Sequence, residues 1–178
     1  MAYVTIQEAQ AYFDDRLHET AWSLANADDQ RKSLEEATKL INTLRYKGLK
    51  NAVCVFLIAN PTVADDADNG DSDALAQIRV VEATQTNEFP RGEDTEVPQT
   101  IGWACSEIAY SLLDGIDPDL ELENLAITTH KIATVQTSFN RDQEPLLHTL
   151  NGIPSAKAWK WLRPFLRDKD YIRMYRVS

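Results

Sequence analysis

Apolar residues recur at three- and four-residue steps in four stretches of the chain, and each such stretch predicts an amphipathic helix. The clearest runs from Pro98 to Gly115, where Ile101, Ala104, Cys105, Ile108, Ala109 and Leu112 form one stripe. Val97-Pro98 places a proline where a first helical turn tolerates it, and Asp114-Gly115 supplies residue types that end a helix in the left-handed conformation. A helix from about Ile6 to His18 opens with Thr5-Ile6-Gln7-Glu8, a capping-box pattern, and carries Ala9, Tyr12, Phe13, Arg16 and Leu17 on one side. Another is capped by Asp28 or Asp29 and reaches about Tyr46, with Leu34, Ala37, Leu40, Ile41 and Leu44 in period and Gly48 beyond its end. Trp22 and Leu24 fill the connection between these two. The last leads from Gly152-Ile153-Pro154-Ser155 into a helix with Trp159, Leu162, Phe165 and Leu166 on one side. Lys157, Lys160 and Arg167 lie toward the other, and Pro164 bends or shortens it.

Elsewhere the helical period is lost. Ala52 to Ala59, AVCVFLIA, is short and rich in β-branched and aromatic residues, which predicts a buried strand, with Gln77 to Thr86 as its partner. The intervening PTVADDADNGDSD reads as a solvated acidic hairpin tip. Its aspartates invite comparison with a calcium loop, but the spacing fails. Counting back from Gly70, the ligand positions fall on Asp65, Ala67 and Asn69, and the twelfth is Ala76 instead of a glutamate. Asp117-Pro118-Asp119 starts a further short segment. Thr128 to Phe139 is β-prone, Asn140 to Asn151 reads as a loop, and Tyr171 to Ser178 alternates as an extended tail does. The expected fold is α+β and mainly α-helical: a helical bundle with a β-hairpin and an extended C-terminal tail. The bundle spans residues 1–166, with the acidic insertion at about 61–76, and the tail spans 167–178.

Charge sharpens this division. The formal net charge is −10 over 178 residues, but it is unevenly placed. Residues 1–60 hold 8 acids and 7 bases, residues 61–125 hold 16 and 2, and residues 126–178 hold 4 and 9. An acidic middle repels nucleic acid, whereas a basic C-terminal part suits an anionic or polar partner. The longest apolar run is too short to cross a bilayer, and MAYVTIQEAQ lacks the basic-then-apolar order of a signal peptide, so synthesis in the cytoplasm and no membrane partner are expected. Cys54 and Cys105 stand in apolar surroundings outside any metal-ligand spacing, which predicts buried free thiols.

Signatures of catalysis are lacking: there is no GxSxG, no phosphate-cradling glycine loop, no HExxH and no Cys/His cluster. His18, His130 and His148 are far apart and fall in no pattern that names a partner. The expectation is a non-enzyme without metal or cofactor. Trp159 and Trp161, among Lys157, Lys160, Arg163 and Arg167, are either a hydrophobic anchor or a base-stacking platform. Trp103 and Tyr110 lie off the main stripe of the central helix, which suits core packing or a subunit contact.

The order AYFDDRL with Trp22, then SLEEATKLINTLRYKGLK, EFPRGEDTEVPQTIGWACSEIAYSLLDG and GIPSAKAWKWLRPFL, resembles the head-to-tail adaptor (connector, head-completion) proteins of tailed phages. Some members of that family carry the label DnaT-like single-stranded-DNA-binding. The resemblance covers nearly the whole chain except about 61–76. It implies a helical bundle repeated as a ring, commonly of twelve copies, beneath the capsid portal in the virion neck. Its partners would be further copies of the chain, the portal protein and a downstream tail protein, with genomic DNA passing through without tight binding. The portal-docking segment would be Tyr171, Ile172, Arg173, Met174, Tyr175, Arg176, Val177 and Ser178. Lys157, Lys160, Trp161, Arg163 and Arg167 become possible interface or DNA contacts, and Phe89, Pro90, Arg91, Trp103 and Tyr110 subunit contacts or core. The alternative is a single-stranded-DNA-binding module built on the basic, Trp-containing C-terminal region.

Overall fold

The computed structural model describes residues 1–125, 129–132, 135–138 and 147–167. Its described part is mostly helical, and it is built on the predicted central helix. That helix, Gln99–Leu113, starts from Pro98 and closes at Asp114, with Gly115 at φ 86°. Every residue of the stripe from Ile101 to Ala109 is fully buried, and Gly102, Ser106, Glu107 and Ser111 are buried as well. The helix is therefore enclosed on most of its circumference. At Gly102 the N-terminal segment crosses so closely that a Cβ there would lie 2.9 Å from Val4 Cγ1.

Numbered in chain order, α1 (Ile6–Asp14), α2 (Thr20–Leu24) and α3 (Ala27–Asn42) surround this helix, which is α7, together with α10 (Ala156–Leu162). The capping box of α1 forms: Glu8 N–H donates to Thr5 Oγ1, and Thr5 N–H donates to Glu8 Oε2 at 2.7 Å. This holds the Glu8 carboxyl below its usual range, because the backbone N–H of Thr5 donates to its charged form. The helix stops at Asp14, short of the expected His18, which adopts φ 61°. Trp22 is fully buried on α2, stacked on Phe13 at 4.7 Å, while Leu24 is exposed. The cap of α3 is Asn26, whose Oδ1 accepts from the N–H groups of Asp28 and Asp29. The two aspartates expected as caps instead occupy the first turn, where the helix dipole favours them. That helix ends at Asn42 and not at Tyr46.

The largest correction falls on the expected hairpin. Residues read as a strand, 52–59, lie in α4 (Asn51–Ala59), and those read as its partner lie almost wholly in α6 (Ser72–Thr84). The acidic segment between them forms α5 (Pro61–Asp68), a turn through Gly70 at φ 84°, and the start of α6. The local cues favour helix once named. Pro61 sits in the first turn of α5, Asp71 Oδ1 accepts from the N–H groups of Asp73 and Ala74, and Ala64, Ala67, Ala74 and Ala76 are strong helix formers. An eight-residue apolar run carries no periodicity that separates a strand from a short helix.

Asp117 caps α8 (Pro118–Leu125) by accepting from Asp119 N–H. β1 (Thr129–Ile132) pairs antiparallel with β2 (Val135–Ser138), Thr129 opposite Ser138. After α9 (Leu147–Leu150), Ser155 caps α10, and a 3-10 turn, Arg163–Phe165, replaces its continuation where Pro164 enters. The chain then runs antiparallel to 45–47: Lys47 N–H donates to Phe165 O, and Arg167 N–H donates to Arg45 O at 3.0 Å. The predicted docking residues 171–178 lie outside the described residues.

Candidate functional site

Two features separate from the packed bundle: a groove between α1, α7 and α10, and an arm formed by α4, α5 and α6. The groove encloses about 1030 Å³ and is walled by Tyr12, Arg16, Trp103, Lys157 and Trp161 over Gly102. Beside it α7 buries its one charged residue, Glu107, in an otherwise neutral helix. Tyr12 donates to Glu107 Oε1 at 2.6 Å, Arg16 Nε lies 2.8 Å from the same oxygen, and Lys157 Nζ lies at 2.7 Å. Arg16 also donates to Oε2 at 3.1 Å and stacks its guanidinium 3.9 Å from the centre of the Tyr110 ring. A buried carboxylate is tolerable only when paired in this way. Burial, followed by the hydrogen bond to Glu107, pushes the Tyr12 phenol above its ordinary range, so its proton stays in place.

This constellation is tied up internally. The Ser106 hydroxyl beside it donates to the Gly102 carbonyl, and Trp103 and Trp161 pack at 5.6 Å with Tyr12 against both. Burial raises the Cys105 thiol to about 11, and partial burial lowers His148 below its usual value. Among the described residues, no group of three or more His, Cys, Asp or Glu side chains could hold a metal ion. The arrangement ties α1, α7 and α10 together through one buried carboxylate.

The predicted site residues therefore divide. Lys157, read as facing outward, reaches inward to Glu107, because the core side of α10 is set by Ala158 and Leu162. Trp161 is a wall of the groove, and Trp103 and Tyr110 are half-buried within the subunit. Lys160, Arg163 and Arg167 are exposed and make no ion pair among the described residues. Phe89 is core, edge-on to Tyr46 at 4.7 Å and to Phe165 at 5.5 Å. Pro90 follows it through a cis peptide, and Arg91 donates to Lys47 O, Gly48 O and Glu88 Oε2.

These last contacts fasten the root of the arm. Glu88 also pairs with Lys50 at 3.2 Å, Gln85 Oε1 accepts from Ala52 N–H, and Asn51 N–H donates to Pro90 O. Beyond this root the arm's helices pack chiefly on one another, and of residues 51–84 only Val53 and Ala74 are buried. Val55, Ile58 and Val80 are 57%, 70% and 69% exposed. The arm carries Asp65, Asp66, Asp68, Asp71, Asp73 and Glu82 against Arg79 alone, a local charge of −5 (six acids less one base). Sequence reasoning missed both the arm and Glu107. A lone acid in an apolar helix was the available signal for the second.

No described helix is long and apolar enough to cross a membrane. No family model, curated protein or solved structure matches the chain.

Proposed function

We propose that this chain is a structural assembly protein: a head-to-tail adaptor whose copies form a ring under a phage capsid portal and continue the DNA channel toward the tail. The observation that carries this reading is the arm. A 34-residue helical projection that buries two side chains cannot repay the entropy of its own ordering from internal packing, so its exposed apolar residues call for another surface. The rigid, polar-locked root suits an element that is held out for a partner. The acidic excess fits a channel that passes a polyanion without releasing its counterions, since phosphates bind where bases gather.

Single-stranded-DNA binding through the C-terminal region draws on Lys160, Arg163 and Arg167. Against it, Lys157 is held by Glu107, and Trp161 is packed with Tyr12 and Trp103 instead of standing free for a base. The deciding experiment is mass by light scattering, on the chain alone and mixed with the portal of the same virus, with a second sample ending at Lys169. The expected result is a particle of many 20.1 kDa copies that joins the portal with the full chain and fails to join with the shortened one. A monomer that ignores portal and binds oligonucleotides in low salt, releasing them in high salt, would overturn the adaptor reading.

A further inference from the structure

The arm of this chain and one patch of its bundle carry opposite charges on separate surfaces. At the arm's tip, Asp65, Asp66, Asp68, Asp71 and Asp73 are all exposed and none forms an ion pair among the described residues. The N-terminal ends of α5 and α6 do not explain the whole cluster, because Asp65, Asp66 and Asp68 stand in the second half of α5.

Opposite in sign is a patch beside the arm's root. Arg167 N–H donates to Arg45 O, and Tyr46 bridges to Leu166, so Arg45 and Arg167 are brought side by side. Arg163 opens the 3-10 turn four residues before Arg167, and Lys160 precedes Arg163 by one turn of helix. All four are exposed and form no ion pair among the described residues, and neither 37–50 nor 147–167 contains an acid, the next in sequence being Asp168. Glu88, at the arm's root, is taken by Lys50 and Arg91. Leu49, 48% exposed, with half-buried Phe165 and Leu166, gives the patch an apolar centre.

A chain cannot satisfy these two surfaces with each other. The tip stands the length of α6 from the root, about 20 Å for its 13 residues, well beyond a Debye length of about 8 Å at physiological salt. Two arms side by side would oppose −5 with −5, and a polyanion would be repelled. A second copy of this chain, offering its root patch, meets both the charge and the apolar demand.

We propose, resting on the adaptor reading, that the arm tip of one copy docks on the root patch of the next, formed by Arg45, Lys160, Arg163 and Arg167. Because tip and patch are different surfaces, the contact is heterologous and propagates head to tail, closing as a ring. Ile58 and Leu75 sit on Leu49 and Leu166, and the charges form the rim that fixes register.

The test is a charge exchange followed by light scattering, with portal present if the wild type assembles only there. One variant is Asp65→Lys/Asp66→Lys/Asp68→Lys; the other is Arg45→Glu/Arg163→Glu/Arg167→Glu. Each alone is expected to weaken self-association at least a hundredfold, while a one-to-one mixture recovers the wild-type mass, since each variant's tip then matches the other's patch. Thermal melting checks folding, and should a reversal unfold the chain, Asp→Asn and Arg→Gln sets are expected to weaken association at least tenfold. A variant that keeps the wild-type mass alone, or a mixture that stays dissociated, overturns the docking while a wild-type ring leaves the adaptor reading standing. A ring that persists in the tip variant but no longer takes up portal assigns the arm to the portal and also overturns it. A wild type that is monomeric with and without portal removes the adaptor reading and this contact together.

Discussion

The arm is at least as rich in apolar residues as the bundle, yet the two use them oppositely. In the bundle, eighteen hydrophobic residues from Tyr3 to Leu162 form one buried cluster around α7, and the polar groups inside it are paired. In the arm, Val55, Phe56, Leu57, Ile58, Leu75, Ile78, Val80 and Val81 are all at least partly open, over a core of Val53 and Ala74. The bundle's stability is its own, because its contacts close within the chain. The arm's stability is deferred, since area that is not buried on folding contributes nothing until something covers it. Function is expected where stability is lowest.

The contrast is broken first at Glu107. In Glu107→Gln the side chain keeps its shape and can still accept from Tyr12, but Arg16 and Lys157 lose their counter-charge. Arg16 is 18% exposed and Lys157 49%, so both recover some hydration, and the cost falls to about 2–3 kcal/mol, under the range for a fully buried pair. Urea unfolding measures it. A change under about 0.5 kcal/mol would mean the cluster is not a structural tie of the bundle.

How much of this contrast the sequence disclosed depends on the range of the interaction. The α7 stripe, the Thr5–Glu8 box, the stop at Gly115 and the break at Pro164 are local, and the structure has each of them. Glu107 is visible as a lone acid, but its partners stand 91, 95 and 50 residues away in sequence, and no periodicity names them. The arm was misread for a different reason. AVCVFLIA has β-prone composition, and helix there is decided by Pro61, Asp71 and the alanines that follow, cues that carry weight only when 51–84 is taken as one unit. The groove followed from Lys157 turning inward, which the position of Ala158 and Leu162 on the core side dictates.

Alkaline pH sharpens the comparison next. Burial raises the Cys105 thiol from 9.0 to about 11, and burial pushes Tyr3, Tyr12 and Tyr46 upward too; all four belong to the bundle, and the arm has no tyrosine. Between pH 9 and 11 the unfolded chain loses the thiol proton and the folded chain keeps it. The stabilisation from the neutral Cys105 is thus complete below pH 9, falls as pH rises, and is gone above about 11, on the order of 2 kcal/mol. Melting temperature should drop across that window, and Cys105→Ala should flatten the drop while leaving the tyrosine contribution. An unchanged slope in the variant would show that the thiol is not buried neutral.

The smallest effect on stability is expected at Val80, and it says the most about the arm. Val80 lies in the middle of α6 and is 69% exposed, so Val80→Ser removes little area that folding had taken from water. The isolated chain should lose no more than about 0.5 kcal/mol, as for an ordinary surface change. Hydrogen exchange should find the amides of α4 and α6 opening at free energies well below those of α3 and α7, because two buried side chains hold the arm and eighteen hold the bundle. If assembly covers the arm, those same amides slow on assembly in the wild type, and Val80→Ser then weakens association although it left the monomer alone. A loss above about 1 kcal/mol in the isolated chain would instead give the arm a core of its own, and its exposed residues would no longer require a partner.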